Sequence, residues 1–311
     1  MSQDNLDFKN TVKKIMARTG SYGMEAVIVK EVLHYEIFKA LYASGLLKNL
    51  VFQGGTSLRL CYGSNRFSED LDFAGGREFS AQDYTAIEDS IRDHIGRRYG
   101  LNVFVKEPKS LREELSRQGV MVDKWQIGIE TDPGHSDIPR QKIKLEIANI
   151  PAYSKEYIPL KLNYNELEAS FSPIMLNVES LDEVLADKII AFPASVRYIR
   201  YRDAWDIAWL IQKGASINEE YIRSKIGDYQ LTLVDYVGHL ENRIASIESI
   251  VYGKEFKQEM TRFIQQDVLD KTLEVEGFND YLVKTLTDTL ATVKNKLIPR
   301  NDGGGVTKFS M

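Results

Sequence analysis

Residues 52–73 read F-Q-G-G-T-S-L-R-L-C-Y-G-S-N-R-F-S-E-D-L-D-F, a glycine turn followed by two alternating carboxylates. Asp70 and Asp72 alternate with Leu71 and Phe73, so an extended strand projects both carboxylates from one face and sends the apolar pair into a core. Such a pair is a natural clamp for a divalent cation. Upstream, the apolar run Leu50-Val51-Phe52 leads into Gly54 and Gly55, then Thr56, Ser57 and an amphipathic segment from Leu58 to Tyr62. That is the order of a strand, a glycine turn and a helix start. The glycines let backbone N–H groups approach an anion, and the helix N-terminus adds a favourable dipole. Thr56 or Ser57 can cap the helix or contact a phosphate. An ordinary glycine turn with a capping hydroxyl reads the same way, so G-G-T-S alone carries little. Joined to D-x-D across one short helix, it points to a triphosphate cradle facing a metal site.

G-G-T-S-L-R over 54–59 and R-F-S-E-D-L-D-F over 66–73 resemble the first two motifs of the nucleotidyltransferases, specifically the AbiEii/AbiGii toxin family of bacterial toxin–antitoxin and phage-abortive systems. Lys188, in L-D-E-V-L-A-D-K, and Asp203 with Asp206, in R-Y-R-D-A-W-D-I, resemble that family's later lysine and D-x-x-D motifs. The resemblance covers the chain from about residue 30 to residue 215 and implies an enzyme that transfers a nucleoside monophosphate from a nucleoside triphosphate and releases pyrophosphate. It also implies Mg2+ or Mn2+ as cofactor, an essential acceptor, foremost the 3′ acceptor end of tRNA, and a cognate antitoxin protein encoded nearby. Transfer to a protein or to a small molecule such as an antibiotic, or nucleotide binding without turnover, uses the same motifs. Fold and motif do not select the acceptor.

The later motifs also have a reading of their own. On a helix from Leu181 to Phe192, Leu181, Val184, Leu185 and Lys188 fall at i, i+3, i+4 and i+7, placing Lys188 on the apolar stripe. Its stem either crosses apolar surface or carries an ammonium to a phosphate. Asp203 and Asp206 share one face of a helix over 202–212, where a solvated Arg202–Asp206 pair would contribute only about 0.3 kcal/mol. The resemblance favours function for Lys188 and Asp206, less so for Asp203. In K-I-K-L-E-I-A-N-I, residues 142–150, Glu146 opposes the apolar face and is the candidate third metal carboxylate beside Asp70 and Asp72. The polar side of a half-exposed strand looks the same. Ser68 shares the period-two face of Asp70 and Asp72 and can bond a metal ligand, a phosphate or backbone.

Nucleotidyl transfer brings an oxygen nucleophile to an anionic phosphorus, so charge decides the residue types. Hard carboxylate oxygens suit magnesium, and paired cations can clamp the attacking and leaving oxygens. Backbone around Gly55-Thr56-Ser57 would take the β and γ phosphates, with Arg59, Arg66 and Lys188 as counter-charges for the leaving group. Arg197, Arg200 and Arg202, interleaved with Tyr198 and Tyr201, offer phosphate contacts and stacking for an RNA end. Solvated charge is the competing reading there, and the favoured one for Arg92, Arg97 and Arg98.

Composition sets the limits. With 311 residues, 43% hydrophobic, the chain can bury one large or two modest cores. The net charge of −5 argues against a broadly basic nucleic-acid binder but allows local clusters. A single cysteine, Cys61, and four histidines leave Asp and Glu as the plentiful metal ligands and exclude an intrachain disulfide. The N-terminus M-S-Q-D-N-L-D-F lacks an apolar signal region, and no run approaches the ~20 apolar residues of a membrane span, so a cytoplasmic protein with no membrane partner is expected.

The pattern predicts an α/β (α+β) fold: N-terminal helices, including V-I-V-K-E-V-L-H-Y-E-I-F-K-A-L, then a mixed nucleotidyltransferase-like sheet with strands near 49–53, 69–73, 101–106, 125–131 and 142–149 and a helix near 81–99. A turn-rich loop, T-D-P-G-H-S-D-I-P-R, separates the last two strands. Helices are expected over 181–195, 202–213, 218–226, 231–250, 255–272 and 278–297, and the tail N-D-G-G-G-V-T-K-F-S-M is expected to be mobile. The expected domains are 1–178, the nucleotidyltransferase unit with its N-terminal helices, and 179–311, a mainly helical unit contributing Lys188, Asp203 and Asp206 to the cleft.

Overall fold

The computed structural model describes residues 8–21, 23–113, 119–132, 139–170 and 172–298. The tail and most of the loop between the fourth and fifth strands lie outside the described residues. Two helices open the chain, α1 (Phe8–Thr19) and α2 (Glu25–Ala43). Then come β1 (Val51–Gln53), the short α3 (Gly54–Ser57), β2 (Leu71–Ala74), α4 (Ile87–Tyr99), β3 (Asn102–Lys106), β4 (Val122–Glu130), β5 (Gln141–Ala148), β6 (Glu156–Pro159) and β7 (Met175–Val178). The remainder is helical: α5 (Leu181–Ala194), α6 (Tyr201–Gln212), α7 (Glu219–Asp228), α8 (Leu233–Val251), α9 (Lys254–Phe263), α10 (Gln266–Leu269) and α11 (Phe278–Leu297). This is the expected mixed-sheet domain followed by a mainly helical region.

The strands form one sheet in the order β3-β4-β5-β2-β1-β7-β6. β2 runs parallel to β5 and β1 parallel to β7, while the other neighbours are antiparallel. Period-two alternation gives the sheet two different faces. Phe52, Leu71, Phe73, Leu145 and Ile147 enter a core shared with α2, where Phe38 meets the rings of Phe52 and Phe73 at 4.9 and 6.2 Å. Each such buried side chain contributes about 1.5–3 kcal/mol. The opposite face carries the small residues Val51, Ala74 and Ala148 beside the polar row described below.

A second core joins α5 through α11. The two cores interlock, since Leu58, just after α3, packs with the helices and Phe263 of α9 packs with the sheet. Between them, the main chain of Phe67 donates to Phe263 O at 2.8 Å and Arg66 bridges to Ile264.

Several local expectations need correction. Leu58–Tyr62 forms a π-helical turn that ends at Gly63 with φ of 78°. The helix expected over 81–99 begins as a separate 3-10 turn, Ala81–Tyr84. The helix expected over 255–272 is interrupted where Ile264 becomes extended, leaving α9 and α10. β6 and β7 were not expected, because four-residue strands are too short to show a period.

Candidate active site

Register assembles the site. Asp72 of β2 lies opposite Gln53 of β1 and Glu146 of β5, and Glu146 lies opposite Lys124 of β4. Directly opposed residues share a face, so Lys124, Glu146, Asp72 and Gln53 form a polar row across four adjacent strands. Lys124 Nζ is 2.8 Å from Glu146 Oε1. Asp70 immediately precedes β2, and its carboxylate accepts from the Lys144 main chain at 3.3 Å and from Lys144 Nζ at 3.2 Å. Burial, then the neighbouring Glu146 and Asp70, push the Asp72 carboxyl up to about 7 against the pull of Lys188 and Arg200.

The glycines are required by close approach. Gly54 has φ of 78°, and a Cβ there would lie 2.8 Å from Asp72 Oδ2. A Cβ on Gly55 would lie 2.5 Å from Arg66 Nη2 and 3.1 Å from Ser68 Oγ. The turn therefore lays bare backbone against both the carboxylate row and the arginine behind it.

Behind the turn is a buried ion network supplied by the helical region. Arg66 grips Asp206 with two hydrogen bonds, Nε to Oδ1 at 2.8 Å and Nη2 to Oδ2 at 2.7 Å. Lys188 Nζ reaches Asp203 at 2.7 Å and Asp206 at 3.0 Å, and Arg200 closes on Asp203 from the outside. Burial alone would raise the Asp206 carboxyl, but Arg66 and Lys188 outweigh it and hold it well below the usual carboxylate range. Asp203 is lowered in the same way, with Lys188 and Arg200 overcoming burial. Asp203 and Asp206 thus share a face, as their spacing requires, but that face is buried and not solvated.

Asp70, Asp72, Glu146, Lys188, Arg66, Ser68, Asp203 and Gly55 are brought to one cleft. Arg59 is not. Its guanidinium meets buried Glu31 of α2 at 2.9 Å and lies over the Phe67 ring, so its charge is spent within the core. Thr56 and Ser57 are also withdrawn, since their buried hydroxyls donate to Asp70 O and Gly54 O; Gln53, not either of them, occupies the N-cap of α3. Lys188 lies between two aspartates, so its ammonium is already paired before any phosphate arrives. Arg202 pairs with Glu69 and Glu259 and not with Asp206. Of the basic and aromatic segment, Tyr198 remains 63% exposed and Arg197 lines the cleft mouth. Arg92, Arg97 and Arg98 pair with acidic neighbours on or beside α4.

The cleft has two halves that share Gly55, Asp72, Glu146, Lys188, Tyr198 and Arg200. One, of about 490 Å³, is charged, with Lys124, Lys144 and Arg66 set among Asp70, Asp203 and Glu259. The other, of about 730 Å³, is walled by Ile190, Ala191, Ala194, Tyr229 and Leu231. Each has the size, and together they have the mixed character, of a small-molecule site. Among the described residues, no three His, Cys, Asp or Glu side chains are gathered as a finished metal site. The physical reason is that Lys144 holds Asp70 and Lys124 holds Glu146. The donor chemistry nevertheless fits a hard divalent cation, because Asp70, Asp72 and Glu146 set carboxylate oxygens along one sheet face, where burial and then the two neighbours hinder ionisation of Asp72. Also among the described residues, no helix is long and apolar enough to cross a membrane.

The model of the nucleotidyl transferase AbiEii toxin family, of type IV toxin–antitoxin systems, matches residues 37–284. No curated protein matches the chain. Among solved structures it is similar to MenT4, a nucleotidyltransferase toxin of Mycobacterium tuberculosis, with a TM-score of 0.58 and 17% identity over 92% of each chain. It is also similar to JHP933 of Helicobacter pylori, with a TM-score of 0.48 and 18% identity over 87% of this chain and 93% of the other. At such identity the first of these likenesses speaks for the shared fold.

Proposed function

The chain belongs to the AbiEii family of nucleotidyltransferase toxins, and from that premise we propose that it transfers a nucleoside monophosphate from a nucleoside triphosphate to an RNA 3′ hydroxyl, foremost the acceptor end of tRNA. The observation that carries this reading is the register of Asp72 with Glu146, beside Asp70, on a sheet face that also carries Lys124 and Lys144 and looks onto Lys188 and Arg200 across the cleft. Anionic reactants need such a mixture of oxygen donors and cations. Asp70, Asp72 and Glu146 would hold Mg2+ or Mn2+, which supplies positive charge to the oxygens around the reacting phosphorus.

The protein's own groups then position the reactants. Lys124 and Lys144, released from Glu146 and Asp70, face the triphosphate, and the bare backbone of Gly54 and Gly55 lets it approach the sheet. Tyr198 and Arg197 at the mouth offer stacking and a phosphate contact to a single-stranded RNA end. The acceptor oxygen bonds to the α-phosphorus as its bond to the bridging oxygen breaks. Pyrophosphate leaves with that electron pair, and the hydroxyl proton passes to a cleft carboxylate or water. Blocking the acceptor end would stop aminoacylation, and a cognate antitoxin would restrain the activity.

The test is incubation of purified protein with each α-labelled ribonucleoside triphosphate, magnesium and total RNA. Label on RNA of tRNA size with wild type, and none with Asp70→Ala, is expected. Label confined to protein or small molecules would replace the acceptor, and label on nothing with any of the four triphosphates would contradict transfer altogether.

A further inference from the structure

No motif in the sequence marks Gln53, yet it stands in the polar row directly opposite Asp72. Its Oε1 is buried without a hydrogen-bond partner among the described residues, and the side chain lines the cleft. A buried acceptor left unpaired costs about 1–3 kcal/mol, and such atoms in folded proteins are few. Chemistry narrows what can satisfy it. Phosphate oxygens carry no donor, so the partner is an O–H or N–H group or the cation itself. Position narrows it further. The proposed transfer puts the α-phosphorus at Asp70 and Asp72, and Gln53 lies one strand away, about 4.8 Å, toward the apolar half of the cleft.

The sugar of a nucleotide is joined to the α-phosphate through a single oxygen, and the base lies beyond it. With the phosphates in the charged half, at the lysines and the cation-holding carboxylates, and the base against Ile190, Ala191 and Leu231, the sugar falls at the seam beside Gln53. A carboxamide matches a hydroxyl whichever way it is turned, because it offers an acceptor and donors while the hydroxyl is both.

We propose that Gln53 selects the sugar of the incoming nucleotide by hydrogen-bonding a ribose hydroxyl, making it a specificity-determining residue of this cleft. The proposal rests on the nucleotide reading given above. Its test is calorimetric binding of each ribonucleoside triphosphate and its 2′-deoxy and 3′-deoxy counterparts, with magnesium, to wild type and Gln53→Met. Gln53→Leu serves as a second variant if the first melts early. Wild type should bind the ribonucleotide about tenfold more tightly than one of the two deoxy forms. Gln53→Met should bind the ribonucleotide as weakly as that deoxy form while leaving the deoxy affinity within about twofold. Equal weakening for every sugar would put the amide on the cation, the phosphates or the base and overturn the proposal. So would an unchanged preference, or equal binding of all sugars by wild type. Because binding needs no acceptor, sugar discrimination without transfer would sink the transfer reading alone, and transfer without discrimination would sink this one alone.

Discussion

At Asp72, burial and two neighbouring carboxylates oppose ionisation, and the sign of the resulting pH dependence is fixed. An unfolded aspartate titrates near ~3.9, whereas the folded Asp72 carboxyl sits at about 7. Between those values the folded chain holds a proton that the unfolded chain has released, so this residue's contribution to stability falls as pH rises through that window. Asp72→Asn should therefore gain on wild type between pH ~5 and ~8 in magnesium-free buffer, by roughly 2–4 °C in melting temperature. A difference independent of pH would contradict the crowding account. Lys188 makes a different prediction. Its ammonium bonds both Asp203 and Asp206, which keep Arg200 and Arg66 as partners, so Lys188→Met should lose about 1.5–3 kcal/mol in denaturant unfolding, the worth of a buried charged hydrogen bond. A loss below about 1 kcal/mol would contradict the network. The sequence placed Lys188 and both aspartates correctly on their helices. It could not show that they pair with each other, because pairing across α5 and α6 is a tertiary fact. Arg59 was misread for the same reason: nothing local announces Glu31 as its partner.

The turn between β1 and the π-helical segment carries the site's precision. Gly55→Ala would push a methyl into the Arg66 guanidinium and the Ser68 hydroxyl, so the bidentate hold on Asp206 must shift. Overpacking of this kind costs about 1–3 kcal/mol. Transfer activity should fall at least about tenfold while the fold persists, since small displacements of positioned groups are expensive in rate. Near-normal turnover would show that the arginine behind the turn does not position the cleft. At this scale β2 and β5 were legible from alternation, and their side-by-side register turned Glu146 from a strand carboxylate into a cleft carboxylate. The break between α9 and α10 was not legible. No glycine or proline marks it, and Ile264 leaves the helix to bridge Arg66, a partner far away in sequence. Gln53 was missed because an orphaned amide becomes visible only when its surroundings are.

For the whole molecule, the cleft exists because two interlocked cores present it from both sides: the sheet brings carboxylates and lysines, the helices bring Lys188, Arg200 and the mouth at Tyr198. The fold class followed from the switch between period two and helical spacing along the chain, whereas the joining of the cores through Leu58 and Phe263 has no sequence period at all. Expression of the wild-type chain should slow growth of a bacterial host, and Asp70→Ala should relieve it. Growth curves that coincide for the two would count against a toxin. The central claim is nucleotidyl transfer, and a paired label tests it most directly. The same triphosphate, labelled at the α position in one reaction and at the γ position in another, is given with magnesium and acceptor RNA to wild type and to folded Asp72→Asn. Acceptor labelled by the α-phosphate only, with γ label recovered as pyrophosphate and neither product formed by Asp72→Asn, is the predicted result; acceptor labelled from the γ position, or equal labelling by both proteins, would contradict it.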